Sequence, residues 1–285
     1  MLSSAGKTRA VRGRQVLVVV CIKQVPDTTQ VKVDPVTGNL IREGVPFIMN
    51  PFDIHALEES LRLKDKYGFR VSVVSMGPPS TEVTLRKALS LGADDAVLLS
   101  DRAFGGADTL ATSKVLAEAV KKLAQKEDVA LVICGQQTID GDTAQVGPGI
   151  ATRLGYSQLT YVDCIEHVDL KTKRLRVRRK LEDRHEVVEA PFPALVTVVR
   201  EINTPRYPSV PRTLMAEEVK VTLWNNNEMK LPLETIGLKG SATRVRRIFS
   251  PERTKGEILS DNNSSPEEVA RRLLDKLVEK GIINL

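Results

Sequence analysis

Four short apolar runs constrain this chain most: QVLVVVCI at 15–22, VSVVS at 71–75, AVLL at 96–99 and LVIC at 131–134. None keeps a strict apolar–polar alternation, so each reads as a strand covered on both faces, as strands are in a parallel sheet. A helical pattern follows each one. The first opens at Asn50-Pro51-Phe52-Asp53, with Asn50 as cap and Pro51 at the first helical position. It buries Ile54, Leu57, Leu61 and Leu63 and ends before Gly68. Helices over 80–91 and 109–125 come next. The latter is capped by Asp108 or Thr109, with Leu110, Val115, Leu116, Ala119, Val120 and Leu123 as core packing. A fourth begins near Thr143, carries Val146, Ile150 and Leu154, and stops at Gly155. To residue 155 the rhythm is β-α-β-α-β-α-β-α, which predicts an α/β fold: a mostly parallel, doubly wound sheet with right-handed crossovers. The alternation over 30–43, around Pro35–Asn39, reads as a hairpin excursion.

Beyond Leu159 the texture changes. Residues 159–168, 173–180, 184–190 and 194–199 read as short alternating strands forming an antiparallel extension, with Arg174, Arg176, Arg178 and Arg179 on its wet face. Past Arg200, Pro205, Pro208 and Pro211 forbid a helix and leave an extended arm. Tyr207, Val210, Leu214 and Met215 lie on that arm, which has no core of its own, and they read as partner-binding residues. Ser264-Ser265-Pro266-Glu267-Glu268 starts a capped C-terminal helix with Val269, Leu273, Leu274, Leu277 and Val278 on one side, suited to docking on another subunit. The expected division is a tail at 1–14, an α/β domain at 15–200, an arm and irregular segment at 201–260, and a docking helix at 261–285.

The formal charge of +6 does not indicate nucleic acid. Lys7, Arg9, Arg12 and Arg14 sit in an acid-free tail, and without those four the charge falls to +2. The remaining charges mix in sign, and aromatics for base stacking are few. The tail resembles a transit peptide in composition but is short and has no amphipathic period, so it reads as a frayed extension. Cys21, Cys134 and Cys164 lie far apart and read as small buried hydrophobes of a reducing compartment. His55, His167 and His185 lack metal-ligand spacing, so no metal site is expected. No apolar stretch reaches membrane-spanning length.

The chemistry concentrates in 131–148. After Leu131–Cys134 come Gly135, Gln136, Gln137, Thr138, Ile139, Asp140, Gly141, Asp142, Thr143, Ala144, Gln145 and Val146, far more polar groups than a capped turn needs. A strand, a polar loop and a helix N-terminus make an anion site, here for a phosphate-bearing ligand. Lys23–Asp27 leaves the first strand where the same ligand could be met. The loop SDRAFGGADTLATS at 100–113 reads either as a tight connection or as a lid laying Phe104 and backbone amides against the ligand. Ile236–Ser241 offers a second polar turn. Neither G-x-G-x-x-G nor a Walker A motif occurs. No nucleophile–base pair is present, and no catalytic residue is assigned.

Several stretches carry a family resemblance: VCIKQVPD (20–27), IMNPFD and the following helix (48–66), SMGPP (75–79), LGADDA (91–96), CGQQTIDGDTAQVGP (134–148) and NTPRY (203–207). From about Leu17 to its end the chain resembles an electron transfer flavoprotein β subunit. The resemblance implies the fold shared with adenine nucleotide α-hydrolases and an obligate heterodimer with an FAD-holding α subunit. It places Cys21, Asn50, Pro51, Phe52, Asp53 and Met76 along a nucleotide slot, with 135–146 around the phosphates. The flavin would lie near Phe104, Asp108, Thr109, Thr112 and Ser241. Gly141 stands where respiratory members carry a second aspartate, and the loop is similar to that of electron-bifurcating members, whose β subunit holds its own FAD. That FAD takes a hydride from NADH and divides the electrons between the α-subunit FAD, serving a quinone or dehydrogenase, and ferredoxin or flavodoxin. A cytoplasmic prokaryotic setting follows, peripheral to a membrane at most through partners. Ala216-Glu217-Glu218-Val219 replaces the basic stretch of respiratory members. Two competing readings stay open: a respiratory-type subunit holding structural AMP, and a nucleotide-sensing module with no α subunit.

Overall fold

In β1 (Val16–Cys21), Val18 and Val20 enter one core while Leu17, Val19 and Cys21 enter a second on the opposite face. That two-sided burial is what the unbroken apolar run requires. The computed structural model describes residues 16–27, 32–33, 40–41, 46–245, 256–260 and 264–284; the basic tail and the 34–39 turn lie outside them. β2 (Gln24–Pro26) pairs antiparallel with β5 (Phe47–Met49). Between them β3 (Lys32–Val33) and β4 (Leu40–Ile41) form the expected antiparallel pair.

The helix–strand alternation then runs as α1 (Pro51–Tyr67), β6 (Arg70–Met76), α2 (Glu82–Leu91), β7 (Asp95–Leu99), α3 (Thr109–Ala124), β8 (Asp128–Gly135) and α4 (Val146–Leu154). α1 and α2 cover one face, through Leu57, Leu61, Leu85 and Ala88. α3 and α4 cover the other, through Val115, Val120, Ile150 and Ala151. Each fully buried leucine or isoleucine here stabilises by about 1.5–3 kcal/mol. Among the described residues nine strands form one sheet, in the order β11-β10-β9-β12-β8-β1-β6-β7-β13. From β1 the chain winds outward through β6 and β7, then returns to place β8 on β1's other side. The carboxyl ends of β1 and β8 therefore flank a topological switch point, where open α/β sheets bind ligands.

The later strands correct part of the expected extension. β9 (Ser157–Asp169), β10 (Arg174–Lys180) and β11 (His185–Pro191) are antiparallel to one another, as expected. β12 (Ala194–Val198) is not: it lies parallel to both β8 and β9, in the interior. All five of its residues are buried, and ALVTV is apolar enough on both faces for that position. The arginines of β10 lie at the surface and are ion-paired, Arg176 to Glu166 at 3.0 Å and Arg178 to Asp163 at 2.9 Å.

The prolines do not exclude a helix from the arm. α5 (Val210–Glu218) begins there, with Ser209 as N-cap and Pro211 in its first turn, where no N–H is needed. α5 buries Ala216, whose carbonyl accepts from Arg86 of α2 at 3.0 Å. β13 (Thr222–Trp224) then adds a strand parallel to β7, in a segment expected to be irregular. Two short helices follow, α6 (Asn226–Met229) and α7 (Gly237–Gly240). α4 starts at Val146 rather than near Thr143, because Asp142 and Ala144 hold φ of 48° and 53° and cannot continue a right-handed helix. Leu110, expected in the core, is 48% exposed, and Cys164 is only half-buried.

The chain divides into two compact units, and the described residues 256–260 and 264–284 belong to the second. Within it α8 (Pro266–Glu279) carries a capping box between Ser265 and Glu268, as the sequence predicts. Lys276 pairs with Glu257 at 3.0 Å.

Candidate functional site

A cavity of about 390 Å³ opens at the switch point. Cys21 and Lys23 at the end of β1 and Cys134 and Gly135 at the end of β8 line its floor. The 136–147 loop and the start of α4 form one wall; Met76, Phe104, Thr112 and Leu116 form an apolar-to-polar opposite side.

The N-terminus of α4 is what gives the cavity its polarity. It has no side-chain cap. The N–H groups of Thr143, Ala144, Gln145, Val146 and Gly147 meet no protein acceptor among the described residues. All five residues line the cavity. Unsatisfied amides at the positive end of a helix favour an anion. α3, whose N-terminus faces the same cavity, differs: Asp108 caps it, accepting from Ala111 at 3.0 Å.

The loop before α4 is held from outside the cavity. Asn50 makes no cap hydrogen bond to α1. Its side chain instead donates to the Gln137 carbonyl at 2.9 Å and accepts from the Ile139 N–H at 3.2 Å. Asp53 is fully enclosed and accepts from the N–H of Lys23 at 2.8 Å and of Gly135 at 3.2 Å. One turn of α1 thus fixes both strand exits. Burial raises the Asp53 carboxyl to about 7, against the opposing hydrogen bonds of Asn50, Lys23 and Gly135. Across the mouth, Lys23 Nζ meets Asp140 at 2.7 Å. Burial opposes ionisation of Asp140, but the Lys23 and Thr138 hydrogen bonds and the Lys23 charge outweigh it and hold its carboxyl below the usual range.

Most of the expected residues come together on this cavity: Cys21, Asp53, Met76, Phe104, Asp108, Thr109, Thr112, Gly135–Thr138, Gly141 and Thr143–Val146. Asn50, Pro51, Phe52, Ile139, Asp140, Asp142 and Ser241 lie off its surface. Asn50 and Asp140 act as braces, Phe52 packs beneath the Arg200 guanidinium at 4.4 Å, and Asp142 accepts from Gln137 at 2.9 Å. Ser241 accepts from the Asp108 N–H at 2.8 Å and so supports the lid-side loop. Lys23, which the sequence places where the ligand could be met, also lines the cavity; so do Ile22, Gly106, Ala107, Leu116, Cys134 and Gly147, which are not among the expected site residues. Cys134 was readable in principle, since it ends the strand beside Cys21. Gly147 was not readable, because what requires glycine there is a distant contact: a Cβ would lie 2.6 Å from Thr197 Cγ2. Tyr207, Val210, Leu214 and Met215 are 94%, 75%, 66% and 65% exposed, well outside the cavity. Among the described residues no cluster of His, Cys, Asp and Glu is arranged to hold a metal ion, and no helix is long and apolar enough to cross a membrane.

An open, doubly wound α/β sheet with an uncapped helix N-terminus over its switch-point cleft is the architecture of a nucleotide-binding α/β protein. Residues 37–228 match the electron transfer flavoprotein domain family. The chain is 50% identical over 267 residues to the electron transfer flavoprotein subunit beta of Clostridium acetobutylicum, covering 93% of this chain and 99% of that one. It is 48% identical to protein FixA of Azotobacter vinelandii, with 91% and 93% covered. It is 49% identical to the caffeyl-CoA reductase-Etf complex subunit CarD of Acetobacterium woodii, with 93% and 99% covered. The chain belongs to the electron transfer flavoprotein family as a β subunit, which pairs with an α subunit.

Proposed function

We propose that this β subunit binds FAD in the switch-point cavity and serves an electron-bifurcating flavoprotein. The observation that carries the reading is the uncapped α4 N-terminus, which lines the same cavity as Gly141. A Cβ at Gly141 would meet only Thr138 Oγ1, at an ordinary 3.5 Å, so packing alone does not call for glycine there. The missing side chain favours close approach of a diphosphate from the cavity side. When bound, FAD supplies the redox chemistry: it accepts hydride from NADH and divides the electrons between the α-subunit flavin and ferredoxin or flavodoxin. The protein's own part is positional. The amides of 143–147 hold the phosphates, Asn50 and Asp53 keep that loop in place, and Met76, Phe104 and Leu116 exclude water. Thr109 and Thr112, which line the cavity beside the start of α3, would hold the flavin end.

The exposed Tyr207, Val210, Leu214 and Met215 serve as the docking surface for the α subunit or a redox partner. By likeness to CarD, whose name places it in a reductase complex, a larger assembly with a dehydrogenase or reductase fits this chain. One observation favours the respiratory-type alternative: about 390 Å³ is on the scale of a mononucleotide such as AMP. Denaturing the purified chain and identifying what it releases separates the two, with FAD counted per heterodimer after reconstitution with the α subunit. Release of AMP without FAD, or a single FAD per heterodimer, overturns the FAD reading.

A further inference from the structure

Cys21 and Cys134 end the two central strands that flank the cavity and are direct register partners on β1 and β8. Neighbouring strands run about 4.8 Å apart, inside the Cα separation a disulfide spans. The two side chains enter the same core, on one face of the sheet. Both sulfurs belong to residues on the cavity wall, yet Cys21 is only 8% and Cys134 only 6% exposed. A reagent therefore reaches them through the cavity. Nothing in the flavin-binding reading uses either thiol.

We infer that Cys21 and Cys134 form a dithiol modification site on the cavity floor, closed to a disulfide by small organic disulfides and shielded when the cavity is filled. The first step is attack by the Cys21 thiolate on the small disulfide, giving a mixed disulfide and releasing one thiolate. Cys134 then loses its proton to that thiolate and attacks the Cys21 sulfur, releasing the second thiol. Two protein thiols are oxidised and one small disulfide is reduced to two thiols. The order follows from the environment: hydrogen bonding to Cys21 and then burial push the Cys134 thiol up, which leaves Cys134 as the resolving partner. An empty cavity is in consequence the oxidisable state, and a nucleotide protects it. The shielding half of this inference rests on the nucleotide reading of the cavity; the dithiol half does not.

The test treats the full chain with hydroxyethyl disulfide, then alkylates the remaining thiols and maps peptides by mass spectrometry. The expected product is a Cys21–Cys134 cross-link with a loss of about 2 Da, while half-buried Cys164 reacts independently. Cys134→Ser should trap the reagent on Cys21. Separate stable adducts on Cys21 and Cys134 in the wild-type chain, or both thiols still alkylatable after unfolding, overturn the dithiol. Adding FAD, and separately AMP, should slow cross-linking roughly tenfold or more and leave Cys164 unchanged. Unchanged cross-linking when equilibrium dialysis shows the cavity saturated overturns the shielding. Failure of either nucleotide to bind instead overturns the nucleotide reading, and the cross-link alone then decides the dithiol.

Discussion

Gly135 lies so close to Asp53 that a β-carbon on it would fall 2.4 Å from the carboxylate oxygen Oδ1. The same atom would sit 2.6 Å from Phe52 Cβ and 2.8 Å from the Phe52 carbonyl carbon. The glycine that ends β8 is thus required by α1, and the carboxylate it makes room for binds both strand exits.

Gly135→Ala should destabilise the protein by about 1–3 kcal/mol, because rigid backbone as well as the carboxylate must move. Denaturant unfolding measures this. Loss of bound nucleotide should accompany it, since Asp53 would release Lys23 and Gly135 together.

Asp53 also makes stability depend on pH. Its folded pKa of about 7 lies above the ordinary 3.8, so the folded state binds the proton more tightly than the unfolded state does. Stability from this group is therefore fully present below pH 3.8 and is lost as pH rises towards 7. Asp53→Asn should flatten that part of the profile, as read by thermal or urea unfolding across the range. An unchanged slope would mean that Asp53 stays ionised throughout.

Gly141→Asp should weaken FAD roughly tenfold or more and AMP much less, because the new carboxylate meets the diphosphate in a partly desolvated site. Ultrafiltration with each nucleotide gives both constants. Equal retention of FAD by the variant would place the diphosphate elsewhere.

Val210→Asp or Leu214→Asp should leave folding stability within about 0.5 kcal/mol, as expected of such exposed positions. Association with the α subunit or a redox partner should fall, measured by titration calorimetry or co-elution. A change in thermal stability alone would make the arm internal packing.

The two-sided burial of β1 and β8 is legible because QVLVVVCI and LVIC are too apolar for any edge position, whereas their place as neighbours in the sheet is not. The loop after β8 was legible because its polar density has no use in a core. What sequence did not reveal depends on contacts far apart in the chain. Asn50 has the composition and position of a helix cap, yet its partners lie on 137 and 139. Pro211 looked like a helix breaker until its place in the first turn of α5 was known. β13 spans only three residues, too few to show a period. β12 carries a signal of its own, five apolar or small residues in a row, but it follows three alternating strands and five residues are too few to mark a change of pattern.

The interior place of β12 sets an order on biosynthesis. β8 emerges from the ribosome with one flank open, and the strand that covers it is finished only at Val198, after the whole β9–β11 excursion has been made. Until then the carboxyl end of β8, which carries Cys134 and Gly135, borders an unpaired edge. A nascent or truncated chain that stops before residue 198 therefore exposes the sheet's centre, and it is at this stage that the protein is most prone to aggregate.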